Sequence, residues 1–410
     1  MSLDKKLDKY AKLIVQAGLN VQKGQEVVIE AAIEAAPLVR KVTKEAYEVG
    51  AKEVIVKYSD EIVSRLKFEY GDTKLFTKFP QWLADYYNEY AKNGAAFLSI
   101  VSDDPEAFKG IEATKMATWV SSKGKATQPF RDSLDKAKNT WCIVGASSLK
   151  WANKVFPDMS DEEAVSALWD AIFKTVKVDY DNPIEAWQQH RLSFEKRLQY
   201  LNSLQLQSLT YTNSLGTNFT IGLPEDYEFA GGGSYTVSDV FFFPNMPTEE
   251  VFSTPHRDKA DGIVYNALPL NYNGNLIDDF FLEFKAGKIV NFGAKQGKAV
   301  LKELIATDEG SAHLGEVALV PYDSPISNMN ILFYNTLFDE NAVCHLAIGT
   351  AFPECVKGGL QMTKEELLEK GVNDSLVHVD FMIGTADLKI IGKTKDNQEV
   401  DIFVDGNFAF

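Results

Sequence analysis

Sulfur and imidazole are scarce in this chain, which has three cysteines and five histidines among 410 residues. Cys142, Cys344 and Cys355 are odd in number and show no CxxC spacing, so a paired disulfide framework is excluded and three reduced, buried thiols are expected. Long apolar runs are also missing. No stretch approaches the ~18 residues of a membrane span, and the opening MSLDKKLDKYAKLI has neither the basic region nor the hydrophobic core of a secretory signal. It reads as an amphipathic helix that starts the fold, and the cytoplasm is the expected compartment. Basic side chains are the minority, 42 Lys and Arg against 58 Asp and Glu, for a formal charge of −16 and a pI near 4.9. Such an acidic surface repels nucleic acid and anionic membranes, so neither is expected as a partner. A phosphate cradle is absent: Gly231-Gly-Gly233 lacks a following Lys-Ser/Thr, opens no convincing helix and is read as a loop.

What is present is an ordinary globular composition, 45% hydrophobic and 24% charged, in a chain long enough for two domains. The halves differ. Up to about Leu201, the short apolar runs EVVIEA, KEVIVKY, AAFLSIV and TWCIVGA alternate with helical patterns such as Ala36–Val49 and Gln81–Asn93. This alternation predicts an α/β domain with a mostly parallel sheet, residues 1–203. Ser160-Asp-Glu-Glu163 is a capping-box pattern, and a helix of roughly Ile184 to Ser203 closes the domain. From Leu204 strand signals dominate, including SLTYTN, GIVYNALPL, EVALVP, NILFYNTLF, VHVDFMIG and ADLKIIG. Residues 204–410 are therefore expected to form a β-rich, α+β domain with helices near Gly297–Thr307 and Thr363–Lys370. FKAGKIVNF within it carries a hairpin signature. Phe241-Phe-Phe243 reads as a buried strand, with a pocket-lining ring as the alternative.

Carboxylates and imidazoles gather in four C-terminal segments: PTEEVFSTP, HLGEVALVP, LFDENAVCHLAIG and HVDFMIG. Alternate side chains of a strand share a face, so His378 and Asp380 project together from Val377 to Met382. Glu340 and His345, five apart, fit neither a strand face nor a helix face, so a bend near Asp339, Glu340 and Asn341 is needed to bring them together. Taken singly, each pair also fits a solvated strand end. His190 is read as a helix-surface residue, and His256 and His313 as structural or as supports behind a ligand. Imidazole nitrogens mixed with carboxylate oxygens suit zinc, cobalt, manganese or iron, and shared carboxylates keep two cations close in dinuclear hydrolases. The residues by themselves lead to metal-assisted hydrolysis.

The same four segments, with the opening KYAKLIVQAGLNVQKGQEVVI and KEAYEVGAKEVIV, resemble the thermophilic-type metallo-aminopeptidases, the aminopeptidase T, AmpS and PepS group of peptidase family M29. The likeness spans the whole chain. It implies metal ligands at Glu250, Glu316, Glu340, His345, His378 and Asp380, and two divalent ions, cobalt, zinc or magnesium. Glu316 is expected as the bridge and Glu250 as general base or terminal ligand, so both are catalytic. The likeness also implies peptide substrates with a free N-terminus, whose cationic amine suits an acidic protein, and a homodimer. One position departs from the pattern: the family continues Ala-Tyr-Pro after HLAIG, whereas this chain reads Thr-Ala-Phe-Pro and has Phe352 at the tyrosine. Either a hydroxyl donor to the developing oxyanion is gone, a loss of roughly 10²–10³ in turnover, or the ring packs beside the site. The first case leaves a metal-binding relative with weakened or no catalysis.

Overall fold

The structure, a computed structural model, describes residues 1–410. The chain forms two compact units, Met1–Ser193 with Gly232–Thr248, and Phe194–Gly231 with Glu249–Phe410.

In the first unit the four apolar runs become strands β1 (Glu26–Ala32), β2 (Glu53–Ser59), β3 (Ala96–Val101) and β4 (Trp141–Gly145). They pair in parallel in the order β2-β1-β3-β4, and the short strand Asn245–Met246 extends the sheet beyond β4. A parallel sheet covered on both faces needs near-continuous apolar strands, and Val27, Val28 and Ile29 of β1 are fully buried. The intervening helices Ala36–Glu48 and Gln81–Lys92 match the helical patterns. Helix Asp161–Thr175 starts where expected, with the Glu163 carboxylate accepting from the Ser160 N–H at 3.2 Å. Facing pairs in the register also carry charge: Glu30 lies opposite Lys57. The Lys57 ammonium is 2.5 Å from Glu30 Oε1, which also accepts from the Tyr87 hydroxyl.

Two readings of this region need correction. Of the Gly231-Gly-Gly233 run, Gly232 and Gly233 are loop as expected, but Gly231 is strand: Ala230–Gly231 pairs with Phe252 and Val251 at the rim of a sheet in the second unit. His190 is half-buried rather than a plain surface residue, because its Nε2 lies 2.8 Å from the Thr248 carbonyl oxygen and its ring packs edge-on against Trp187. Phe241–Phe242 is a short strand paired with Ser234–Tyr235, and Phe242 and Phe243 are buried.

The second unit holds two antiparallel sheets. The larger has nine strands and includes the hairpin Asn275–Lys285 and Lys288–Gln296, turned by Ala286 and Gly287 at φ of 47° and 81°. The smaller has five: β5 (Val251–Ser253), β6 (Leu314–Leu319), β7 (His345–Gly349) and β8 (His378–Met382), in the order β8-β7-β6-β5, followed by Ala230–Gly231. Alternation divides the smaller sheet into two faces. Val317, Leu346, Ile348, Val379 and Phe381 form an apolar back, all buried, with the Phe381 ring 5.8 Å from Phe280 of the larger sheet. The front carries the polar residues.

NILFYNTLF, expected as a strand, is instead a loop ending in the short helix Thr336–Asp339. The cause is local. The buried Asp339 carboxylate accepts from the N–H of Phe333 at 2.8 Å and of Asn335 at 2.9 Å, and the Asn335 side chain caps the Leu337 N–H at 3.2 Å. Donors that a ladder would use are satisfied within the segment.

Candidate metal centre

Cross-strand register assembles the front face. Glu316 of β6 lies opposite Ala347 of β7, which lies opposite Asp380 of β8. In the neighbouring rows Ala318 faces His345, which faces Met382, and Gly349 faces His378. The central strand therefore presents His345, then only a methyl group and a glycine, between two strands that carry acids and an imidazole. Gly349, at φ of 110°, is needed there because a Cβ would lie 2.0 Å from the Val377 carbonyl oxygen. A β-bulge between Leu314 and Glu316 re-aims β6 at this point. Glu250 joins from the segment leading into β5, on the same face as Phe252.

Two triads result, Glu250–Glu316–His345 and Glu316–His378–Asp380, in each of which the potential ligand atoms lie within 4.8 Å of one another. Glu316 belongs to both. Its Oε1 is 3.9 Å from His345 Nε2, and its Oε2 is 3.0 Å from His378 Nε2. His345 Nε2 is also 3.0 Å from Glu250 Oε2, and His378 Nε2 is 3.3 Å from Asp380 Oδ1. Five of the six expected residues thus converge. Glu340, the sixth, stands outside both triads, although it is buried and feels the charges of Asp380, Glu250 and His345.

The bend that brings Glu340 and His345 together is a hydrogen bond. His345 Nδ1 lies 2.8 Å from the Glu340 carbonyl oxygen, so the imidazole closes the loop from which its own strand emerges. His378 Nδ1 lies 2.7 Å from the Thr350 carbonyl oxygen. A carbonyl can only accept, so each Nδ1 carries the proton and each Nε2 faces the carboxylates. This is the orientation that second-shell bonds give a metal-ligating histidine.

The cluster is electrically unbalanced. Burial, with repulsion from Glu250 and Asp380, pushes Glu316 up to about 7 against the opposing pull of His378. Burial, then the charges of Asp380 and Glu250, also raises Glu340. Burial works to lower His345, but the hydrogen bond and charge of Glu250 outweigh it and push the imidazole up to about 10. His378 is raised in the same way, burial being overcome mainly by Asp380, while His378 in turn holds Asp380 below the usual carboxylate range despite its burial. Protons supply the positive charge that four acids require.

Divalent cations fit this donor set. It offers carboxylate oxygens and imidazole nitrogens together, the mixture borderline metals favour. Asp380 Oδ1 is moreover buried with only His378 Nε2 near it, at 3.3 Å and without hydrogen-bond geometry, an acceptor turned toward the cluster and poorly satisfied there.

Reasoning from sequence missed three supports. Asn341, fully buried, accepts from the Glu249 N–H at 2.7 Å and donates from Nδ2 to the Leu337 carbonyl at 2.9 Å and to Glu340 Oε1 at 3.3 Å. Asp339 shapes the loop that carries Glu340, and Ala347 puts only a methyl group between Glu316 and Asp380 in the register. His313 and His256 stay outside the triads: His313 Nδ1 bonds the Arg257 carbonyl at 2.9 Å, and His256 Nδ1 accepts from the Asp258 N–H at 3.2 Å. The Phe352 ring packs 4.8 Å from the His378 ring and 5.7 Å from Phe252, beside the second triad.

Comparison with known proteins decides the family. The sequence model of the thermophilic metalloproteases (M29) matches residues 3–408. The chain belongs to that family. It is 48% identical to aminopeptidase AmpS of Bacillus subtilis over 409 residues, 100% of both chains. It is 47% identical to aminopeptidase 2 of Geobacillus stearothermophilus over 407 residues, 99% of this chain and 98% of the relative. Among solved structures, wild-type AmpT from Thermus thermophilus superposes with a TM-score of 0.90 at 36% identity, covering 100% of each chain. M29 membership and this likeness agree with the α/β unit followed by an antiparallel β-rich unit.

Proposed function

We propose that this member of the M29 family uses two divalent ions, held across Glu316, to release N-terminal amino acids from peptides. It is an aminopeptidase of the metalloprotease family; the pair of ions and the assignment of residues are the added steps. The observation that carries them is the position of the Glu316 carboxylate, whose two oxygens face different imidazoles in two triads. Glu250, Glu316 and His345 would hold one ion and Glu316, His378 and Asp380 the other, with Glu340 as a further carboxylate beside them. Cobalt and zinc suit the mixed oxygen and nitrogen donors, and magnesium is the harder alternative.

When bound, such ions supply Lewis acidity that lowers the pKa of water and stabilises negative charge on a peptide carbonyl oxygen. The chain's own groups do the rest. Backbone carbonyls of Glu340 and Thr350 hold both imidazoles in one tautomer, so their Nε2 atoms are fixed before any ligand arrives. Glu250, at the edge of the first triad, takes the proton of the attacking water and returns it to the leaving amine. The acids left around the cluster favour a cationic N-terminus over a blocked one. The reading extends to a cytoplasmic homodimer, supported by family likeness; no helix is long and apolar enough to cross a membrane.

The test is hydrolysis of free and N-acetylated leucyl peptides by metal-stripped protein with cobalt, zinc, manganese or magnesium added back. Cleavage of the free-amine peptide alone, and only with metal, is expected. Cleavage without metal, or of the acetylated peptide equally well, would overturn the reading. A second reading, an ion-binding relative with weak turnover, rests on the position of Phe352 against His378. If a missing hydroxyl cripples the site, Phe352→Tyr raises kcat by roughly 10²–10³ at unchanged ion content. A change below a few-fold removes this alternative.

A further inference from the structure

We propose that Asn341 is a positioning residue that holds the Glu250–His345 half of the site and leaves the His378–Asp380 half untouched. The inference rests on the two-ion reading above. Asn341 has 0% exposure, and its side chain reaches three separate places. Its Oδ1 accepts from the main-chain N–H of Glu249 at 2.7 Å, which fixes the residue immediately before Glu250. Its Nδ2 donates to the Leu337 carbonyl at 2.9 Å, closing the short helix Thr336–Asp339, and lies 3.3 Å from Glu340 Oε1. The Glu340 carbonyl in turn receives the His345 Nδ1 proton. One amide therefore ties together the segment that delivers Glu250 and the loop that orients His345.

The other half is held by other groups. His378 is oriented by the Thr350 carbonyl, and Asp380 by its place in the β7–β8 ladder. Glu249 and Glu250 lie 91 or more positions away in sequence, and the β5–β6 ladder that brings their segment to the sheet begins only at Val251, which leaves the two acids to a bond from outside the ladder. The amide is chemically suited to it. Placed against the Glu340 carboxylate, a neutral group that both donates and accepts adds no charge, whereas a lysine would neutralise that acid and an aspartate would add another.

The experiment is calorimetric titration of metal-stripped wild type and Asn341→Ala with cobalt, together with thermal melting of the ion-free proteins. Asn291→Ala, which removes an exposed amide bonded to Glu283, is the matched control. Wild type is expected to bind in two resolved steps. Asn341→Ala should weaken one step by about 10–100-fold, the scale for losing an outer-shell partner, and leave the other within threefold. Its kcat should fall with KM for a leucyl peptide little changed. Equal weakening of both steps, or of neither, overturns the proposal, because a merely structural amide has no reason to distinguish the ions. If Asn341→Ala does not fold, the neutral Asn341→Ser replaces it. That variant shortens the side chain without adding charge, and it should show the same one-sided loss; a symmetric effect refutes the proposal. A wild type that binds a single ion overturns the two-ion reading itself. The proposal is then judged on whether Asn341→Ala weakens that ion without lowering the ion-free melting temperature more than the control does.

Discussion

Half-buried and buried acids are handled in opposite ways by the two sheets. On the parallel sheet Glu30 has Lys57 directly across the register and the Tyr87 hydroxyl beside it. Burial works to raise its pKa, but the nearby ammonium wins and holds it below the usual carboxylate range. On the smaller antiparallel sheet Glu316 is raised, as is Glu340 on the loop that leads into it. Every ion pair that Glu250, Glu316 and Asp380 make is to an imidazole. The first arrangement carries its own cation and is complete. The second has more acid than cation and keeps its charge low by holding protons. Burying uncompensated carboxylates is costly, so a fold that retains such a cluster is arranged around something it receives from outside. An acidic group matters here less for its burial than for what sits across the strand from it.

The largest effect should come from removing the shared carboxylate. Glu316→Gln keeps the shape and takes away the charge common to both triads; turnover should fall about 10³-fold or more, and metal analysis should find both ions lost or weakened. A residual ion bound as tightly as in wild type would separate the triads and break the account of Glu316. Next, the acid-rich face can be made to resemble the parallel sheet by giving it an internal cation. Ala347→Lys puts an ammonium between Glu316 and Asp380 at a packing cost of about 1–3 kcal/mol. Cobalt should then no longer bind, and the ion-free protein should depend less on pH. Retained cobalt binding would mean that charge is not what the site lacks.

Sequence reading reached this face in part. The strand periodicity of HVDFMIG gave the shared side of His378 and Asp380, and the five-residue spacing of Glu340 and His345 located the bend. The parallel sheet was legible from apolar runs alone, since both faces of its central strands β1 and β3 are buried. NILFYNTLF misled because its apolar content matches a strand, while the group that decides its shape, Asp339, acts through its carboxylate on the backbone of residues 333 and 335. Asn341 gave no usable signal beyond its place in the bend. Its role lies in a bond to Glu249, 92 positions away, and no periodicity encodes such a partner.

Stability against pH provides a smaller, continuous test. In ion-free protein Glu316 titrates near 7, above an unfolded value of about 4.3, and His345 near 10, above about 6.5. In both windows the folded chain holds a proton that the unfolded chain has released. Stability is then greatest at the acid side of each window and is lost as pH rises through 7 and then toward 10. Melting temperatures in chelator should fall across this range, and added cobalt should recover more stability at pH 8 than at pH 6. A flat profile in chelator would contradict the proton-held cluster. The smallest effect belongs to the self-sufficient pair: Glu30→Gln should cost about 1–2 kcal/mol, given its one-third exposure. Ion affinity and turnover should be unchanged, as read by denaturant melts and the peptide assay.

The most direct test of the central claim is anomalous scattering from crystals grown with cobalt. The account predicts two peaks, one among Glu250, Glu316 and His345 and the other among Glu316, His378 and Asp380, with the Glu316 carboxylate between them. A single peak, or peaks that do not share Glu316, would contradict it.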